Sequence, residues 1–232
     1  IDATVPTISS VTITSATGVQ NSTLNAGDVV TATVTFGEVV TVTGTPTLSL
    51  TIGNTPVVAN YASGNGTNAL NFTYTVLAGQ TDTDGISIGA NALSLNGGTI
   101  QDGVGHTATI SHAAVADNAS FIVDTTVATP TLALANDAGS STSDGITNVG
   151  TVNVGALESG ASWQYSINSG TNWTAGTGSS FTLGGGTYAV GAVRVRQTDL
   201  AGNISTAVQN VGAITIDATV PTISSVTITS AT

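Results

Sequence analysis

At 232 residues the chain is long enough for one large domain or two of ordinary size. Charged residues make up only 6%, lysine and cysteine are absent, and 13 acidic side chains leave a net charge of -11. That balance excludes nucleic acid and anionic membrane surfaces as partners, excludes disulfide and Lys–Asn isopeptide staples, and attracts cations. No run of apolar residues is long enough for a membrane span, so no direct membrane insertion is expected.

The chain opens on IDATVPTISSVTITSAT (1–17), and the same letters return at 216–232, a period of 215 (216 minus 1). Exact repetition at a fixed period is the signature of a tandem array. A looser copy, VDTTVATPT, lies at 123–131. The three copies carry Asp2, Asp124 and Asp217, separated by 122 (124 minus 2) and 93 (217 minus 124) residues. Pro in each copy fixes φ and stops the preceding strand from running on. The copies are expected to be linkers, giving a domain at 1–124, a shorter one at 125–216, and at 217–232 the first strand of a further, incomplete repeat.

Within 1–124, period-2 alternation dominates. TATVTF (31–36), TLSLTI (47–52) and ALNFTYTV (69–76) each place apolar side chains on one face and Thr, Ser or Asn on the other. ISI (86–88) and LSL (93–95) continue the pattern, while GNT (53–55) and SGNGTN (63–68) read as turns. The second domain repeats this with TVNV (151–154), WQYSI (163–167), SFTL (180–183) and GAVRVRQ (191–197), the last with Val193 and Val195 inward and Arg194 and Arg196 outward. No segment shows a helical period. The predicted fold is all-β: two tandem Ig-like β-sandwich domains joined by a short linker containing Asp and Pro.

AGDVVTATVTFGEVVTVTGTPTLSLTIG, AGQTDTDGISI and SLNGGTIQDGVGH resemble the bacterial Ig-like repeats of giant type I-secreted (RTX, biofilm-associated) surface adhesins. NDAGSSTSDGITN, WQYSINSGTNW and VRVRQTDLAGN resemble the shorter Ig-like repeats of the same proteins. The resemblance covers nearly the whole chain. It implies a secreted, extracellular protein on a bacterial cell surface, in which Ig-like modules extend a distal binding tip. It also implies calcium where neighbouring repeats meet.

Little in the chain points to catalysis, and it is not expected to be an enzyme. His106 and His112 are the only histidines, too few for a zinc site by themselves, and no nucleophile elbow, P-loop or dinucleotide fingerprint is present. SINSGTNW (166–173) resembles the Asp-box hairpin, with Asn168 and Asn172 replacing its Asp and Thr; it reads as a folding turn with Trp173 packed on Trp163 or Tyr165. The outside alternative is a sugar-stacking platform of Trp163 and Trp173; a ligand-binding module would need an exposed aromatic cluster, for which Trp163, Trp173 and Tyr188 are the candidates.

The aspartates carry the signal. In Ig topology the AB and EF loops lie at one pole of a sandwich and the FG loop at the other. Asp28 ends an AB loop, Asp82 and Asp84 lie in the EF loop TDTDG, Asp124 is in the linker, and Asp199 begins the FG loop of the second domain. These acids are expected to converge. Asp137, Asp144 and Asp217 repeat the arrangement one junction later, and Asp2 with Asp102 forms half of an equivalent site. Converging carboxylates repel unless neutralised, and Ca2+, which takes six to eight oxygens, is the natural neutraliser. The alternative is that each Asp caps a turn, above all Asp84, Asp102 and Asp144, each near a Gly.

The expected function is an extender segment of an adhesin, stiffened by calcium, whose partners are neighbouring Ig-like repeats of the same chain. Two rivals stand beside it: a glycan- or protein-binding module, and homotypic association between arrays on neighbouring cells.

Overall fold

The computed structural model describes residues 2–227. The chain divides into two compact units: residues up to Thr126 together with Leu200–Asn203, and Val127–Asp199 with the residues from Ile204 onward. Among the described residues every regular element is a strand.

The first unit contains β1 (Ile8–Thr17), β2 (Thr23–Leu24), β3 (Val29–Thr43), β4 (Thr47–Ile52), β5 (Thr55–Ser63), β6 (Thr67–Thr75), β7 (Thr81–Asp82), β8 (Leu93–Ser94), β9 (Thr99–Gln101) and β10 (Ile122–Asp124). The large sheet runs β1-β3-β6-β5-β4-β8, with β9 also on β3; a smaller sheet runs β2-β10-β7. Its organiser is β3, fifteen residues of near-perfect alternation. Ala32, Val34 and Phe36 point inward and meet Leu70 and Phe72 of β6, Leu48 and Leu50 of β4, and Leu24 and Val123 of the small sheet in one apolar cluster. β3 pairs with β6 from Val29 to Thr35 and, after a register shift, again at Val40; Thr41–Thr43 pair with β9. On the outer face hydroxyls replace ion pairs. Thr14 and Thr33 Oγ1 lie 2.9 Å apart, and Thr33 Oγ1 donates to Asn71 Oδ1 at 2.8 Å.

β5 is the strand the sequence did not announce. It carries Pro56, and its alternation is weak, with Val58 exposed. It forms because β4 and β6 supply a ladder on both sides. Residues 86–88, expected to be a strand, hold only isolated bridges at Ser87 and Ile88.

The second unit contains β11 (Thr131–Leu134), β12 (Ile146–Thr147), β13 (Thr151–Gly155), β14 (Ser162–Ser166), β15 (Thr174–Ala175), β16 (Ser180–Thr182), β17 (Gly186–Tyr188), β18 (Arg194–Thr198), β19 (Val208–Gln209) and β20 (Ile214–Ile216). They form the sheets β11-β13-β16, β12-β20-β17 and β15-β14-β18-β19. In both units a short strand after the first pairs parallel with the last: β2 with β10, and β12 with β20. The core holds Val152, Val154, Val193, Val195, Trp163 and Phe181. Its polar members are bonded: buried Gln197 donates through Nε2 to Ala128 O and Ala156 O, and accepts from Glu158 N. The protein is thus all-β, built of sandwich-like units. Of the predicted terminal strand 217–232, residues 228–232 lie outside the described residues, and no strand forms over 217–227.

Candidate metal centre

The segment before β1 is tied down by its backbone. Pro6 O accepts from Thr109 N, Thr7 O accepts from Gly37 N, and Thr7 bridges Thr109 in parallel. This brings Asp2 to the loop 102–106 and to the irregular middle of β3. Ligand oxygens of Asp2, Glu38 and Asp102 all lie within 4.8 Å of one another. Asp2 and Asp102 were foreseen as neighbours; Glu38 was not.

Asp102 shapes its own loop. It is buried, and its Oδ1 accepts from Val104 N at 2.9 Å and His106 N at 2.8 Å. Oδ2 lies 2.7 Å from His106 Nδ1. Burial alone would raise its pKa. The bonds from His106 and the backbone N–H groups of Val104 and Gly105 outweigh burial and hold it below the ordinary 3.8. His106 is raised in turn, first by the hydrogen bond to Asp102 and further by the charges of Asp102 and Asp2. Asp2 is lowered by the hydroxyl and then the backbone N–H of Thr4.

The three linker aspartates share one local device. Asp2 Oδ1 accepts from Thr4 N, Asp124 Oδ1 from Thr126 N, and Asp217 Oδ1 from Thr219 N. Each D-x-T therefore caps a turn through one oxygen, so the turn-cap role extends to the linker residues as well. Asp28 Oδ2 accepts from Asn25 N, and its carboxylate lies so close to Gly18 that no side chain fits there.

Asp82 is buried, taking Gly53 N on Oδ2 at 2.7 Å and Gly85 N on Oδ1 at 2.8 Å. Asp84 is pushed up, first by its side-chain hydrogen bond with Asp82 and further by the charge of Asp117. These three acids line one concavity of the first unit, so Asp117 joins a cluster that the sequence placed at Asp82 and Asp84 alone.

In the second unit, Asp144 Oδ1 accepts from Ile146 N, and Asp144 and Asp217 line one concavity. Asp137 Oδ2 accepts from Gly145 N at 2.9 Å, but its Oδ1 is buried with no hydrogen-bond partner. Asp199 directly follows β18.

The aromatic candidates are placed otherwise than the sugar-stacking alternative requires. Trp163 is 5% exposed, with Nε1 donating to Gly178 O. Gly176 lies against its indole so closely that a Cβ there would collide with the ring. Trp173 does not pack on Trp163 or Tyr165 as expected; its ring lies under the Arg196 guanidinium at 4.2 Å. Tyr165 stacks on Phe181 at 4.2 Å instead. Tyr188 is half-buried and donates to Gly184 O. The SINSGTNW hairpin is a self-bonded turn: Asn168 Oδ1 accepts from Ser166 Oγ and Asn172 N. Neither histidine hydrogen-bonds a hydroxyl among the described residues; His112 takes Ala92 N on Nε2 and pairs with Ala113 O through Nδ1.

No protein-family model matches the chain, and no curated protein matches it. Among solved structures it is similar to the fibronectin(III)-like modules of Clostridium thermocellum CbhA, at 15% identity over 89% of this chain and 94% of that one, with a TM-score of 0.31. It is also similar to a structure from a 1.5-MDa bacterial ice-binding adhesin, at 19% identity over 90% of this chain, with a TM-score of 0.33; the chain spans 63% of that structure. Likeness this loose carries no argument about chemistry; the strand ladders themselves define the all-β fold.

Proposed function

We propose that the chain is an extender segment of a bacterial cell-surface adhesin, in which calcium stiffens the joints between successive units. The observation that carries the reading is the meeting of a linker acid with a loop acid, Asp2 with Asp102, and with Glu38. Asp217 is Asp2 one period later, so each further period would rebuild the same cluster.

The donor set suits a hard cation. All three ligands are carboxylates, and an oxygen-only set fits Ca2+ rather than zinc or copper. Asp2 keeps Oδ2 outside its Thr4 turn, and Glu38 supplies a further carboxylate. Asp102 would share Oδ2 with His106 or release it. In the second unit the orphaned Oδ1 of Asp137 favours the same chemistry, since a buried oxygen without a donor is costly unless a cation or water meets it. Asp2, Glu38 and Asp102 would hold one ion, and Asp137, Asp144 and Asp217 would contribute to another. The same reading makes calcium ligands of loop residues Asp28, Asp82, Asp84 and Asp199 and of linker residue Asp124. Calcium there turns carboxylate repulsion into attraction, which fixes a joint with little effect on the fold.

Extracellular calcium modules bind at roughly 10⁻⁴–10⁻³ M, so millimolar calcium would add on the order of 1 kcal/mol per site. Titration calorimetry tests this. Binding in the submillimolar to millimolar range is expected, with one class of site lost in Asp2→Ala. No binding up to about 10 mM (roughly tenfold above the upper end of the usual range) would overturn the calcium reading and leave the aspartates as turn caps.

A further inference from the structure

We infer that the outer face of the sheet β15-β14-β18-β19 in the second unit receives a glycan ending in one carboxylate-bearing sugar, held by Arg194 and Arg196. These are the chain's only Lys or Arg residues, and both stand on this face. Along β18, Val195 and Gln197 point into the core and the two arginines point out. Neither is neutralised. None of the four strands contains Asp or Glu, and the one ion pair among the described residues is Asp102–His106. In a chain with 13 acids, the only two arginines are thus left facing outward without a carboxylate.

Both guanidiniums are held in place. Arg196 donates through Nε and Nη2 to Gln164 Oε1 at 3.0 and 2.8 Å, and lies 4.2 Å over the Trp173 ring. Arg194 donates through Nε to Gly191 O at 2.9 Å. Both Nη groups of Arg194 and Nη1 of Arg196 have no acceptor among the described residues. Gly170 keeps the space between Trp173 and Arg194 clear: a Cβ there would lie 3.5 Å from the ring and 3.7 Å from Arg194 Nη1. A guanidinium already fixed loses little freedom on binding a carboxylate, whose two oxygens match its fork. The amides of Gln164 and of exposed Gln209, register partners of Arg196 and Arg194, stand beside it for the hydroxyls of a sugar ring. Trp173 is not a bare stacking platform, since Arg196 covers one face; it holds Arg196 through the cation–π contact. Charge limits the ligand to one carboxylate. Screening at physiological salt acts over about 8 Å, so a lone carboxylate feels mainly the two guanidiniums. A polyanion would run out over a chain of net charge -11.

The site is independent of the calcium ligands, and its test uses the intact chain. Methyl glucuronide is titrated while NMR follows the Trp173 indole N–H and the arginine Nε–H groups. Saturable shifts are expected, with half-saturation on the order of 1 mM, and they should vanish in about 1 M salt, where screening acts over roughly 3 Å. Arg194→Gln should weaken binding about tenfold while the second unit melts as before, because the side chain lies on the outer face. Arg194→Lys, which keeps the charge and the stem but loses the fork, should weaken it severalfold. Acetate has the charge without the ring, and methyl glucoside the ring without the charge; each should bind at least about tenfold more weakly. No saturable shift with the glucuronide would overturn the proposal, as would binding unchanged in Arg194→Gln. Acetate or the glucoside binding as well as the glucuronide would overturn it too, since the face would then not read a sugar acid.

Discussion

Residues 2–12 and 217–227 are the same eleven amino acids in two settings, and they share only part of their structure. Both form the Asp–Thr turn: Asp2 Oδ1 accepts from Thr4 N and Asp217 Oδ1 from Thr219 N. Only the first copy goes on to be a strand, because only there does β3 supply a ladder and an apolar wall. The turn is a contract between residues two apart and travels with the sequence. The strand is a contract with residues far along the chain, and alternation alone does not create it.

The largest effect should come from removing that wall. Phe36, the register partner of Ile8, is almost fully buried. Phe36→Ala should cost the first unit about 3–5 kcal/mol, read as a lower denaturant midpoint, while the second unit's transition stays in place. Next comes the paired substitution. Val11→Ala should cost roughly 1–2 kcal/mol from lost burial and a small cavity. Val226→Ala, the same change one period on, should stay within about 0.5 kcal/mol, as for exposed sites. Equal losses at the two positions would show that the tail packs on its own chain.

The two copies differ in electrostatics as well. Asp2 stands beside Glu38 and Asp102 and adds to the field on His106; Asp217 is lowered by its own Thr219. Asp102→Asn should bring the His106 titration, followed by NMR, down towards its ordinary value. Asp2→Asn should move it down slightly, and Asp217→Asn not at all.

The smallest expected effect is a pH dependence of the first unit. His106 is raised in the folded state, so its stabilisation is complete below its ordinary value of 6.5 and is lost as pH rises through the raised value. Asp2 and Asp102 are depressed, so theirs is present above 3.8 and lost as pH falls through their lowered values. Asp84 is raised, so its ionisation with rising pH weakens the fold. Without calcium, stability should therefore peak on the acid side of neutrality. His106→Gln should flatten the decline towards neutral pH, and Asp84→Asn should raise stability at pH 7.

How legible all this was depended on how far each contact reaches. Strands β3, β4, β6, β13 and β14 follow from alternation, because one face is buried and the period is visible in the letters. β5 was hidden by Pro56 and by an exposed Val58, and exists because neighbours flank it. Glu38 was missed because its partners come from both sides of the fold. Its one signal was positional: Glu38 puts a charge at an inward-phase position of a fifteen-residue strand, where the pairing with β6 shifts register. Asp117 stands in a stretch without regular pattern and joins Asp82 and Asp84 only through folding. Trp173 found Arg196 rather than an aromatic partner, because β18 places the guanidinium over its ring while Phe181 occupies the face of Tyr165.

The central claim, that calcium stiffens the joints of an extender, is tested most directly by small-angle scattering of the intact chain in millimolar calcium, in chelator, and in calcium with Asp124→Ala. The account predicts a single extended form with calcium, a broader distribution of dimensions in chelator, and the chelator result for Asp124→Ala even with calcium present. Three superimposable curves would contradict it.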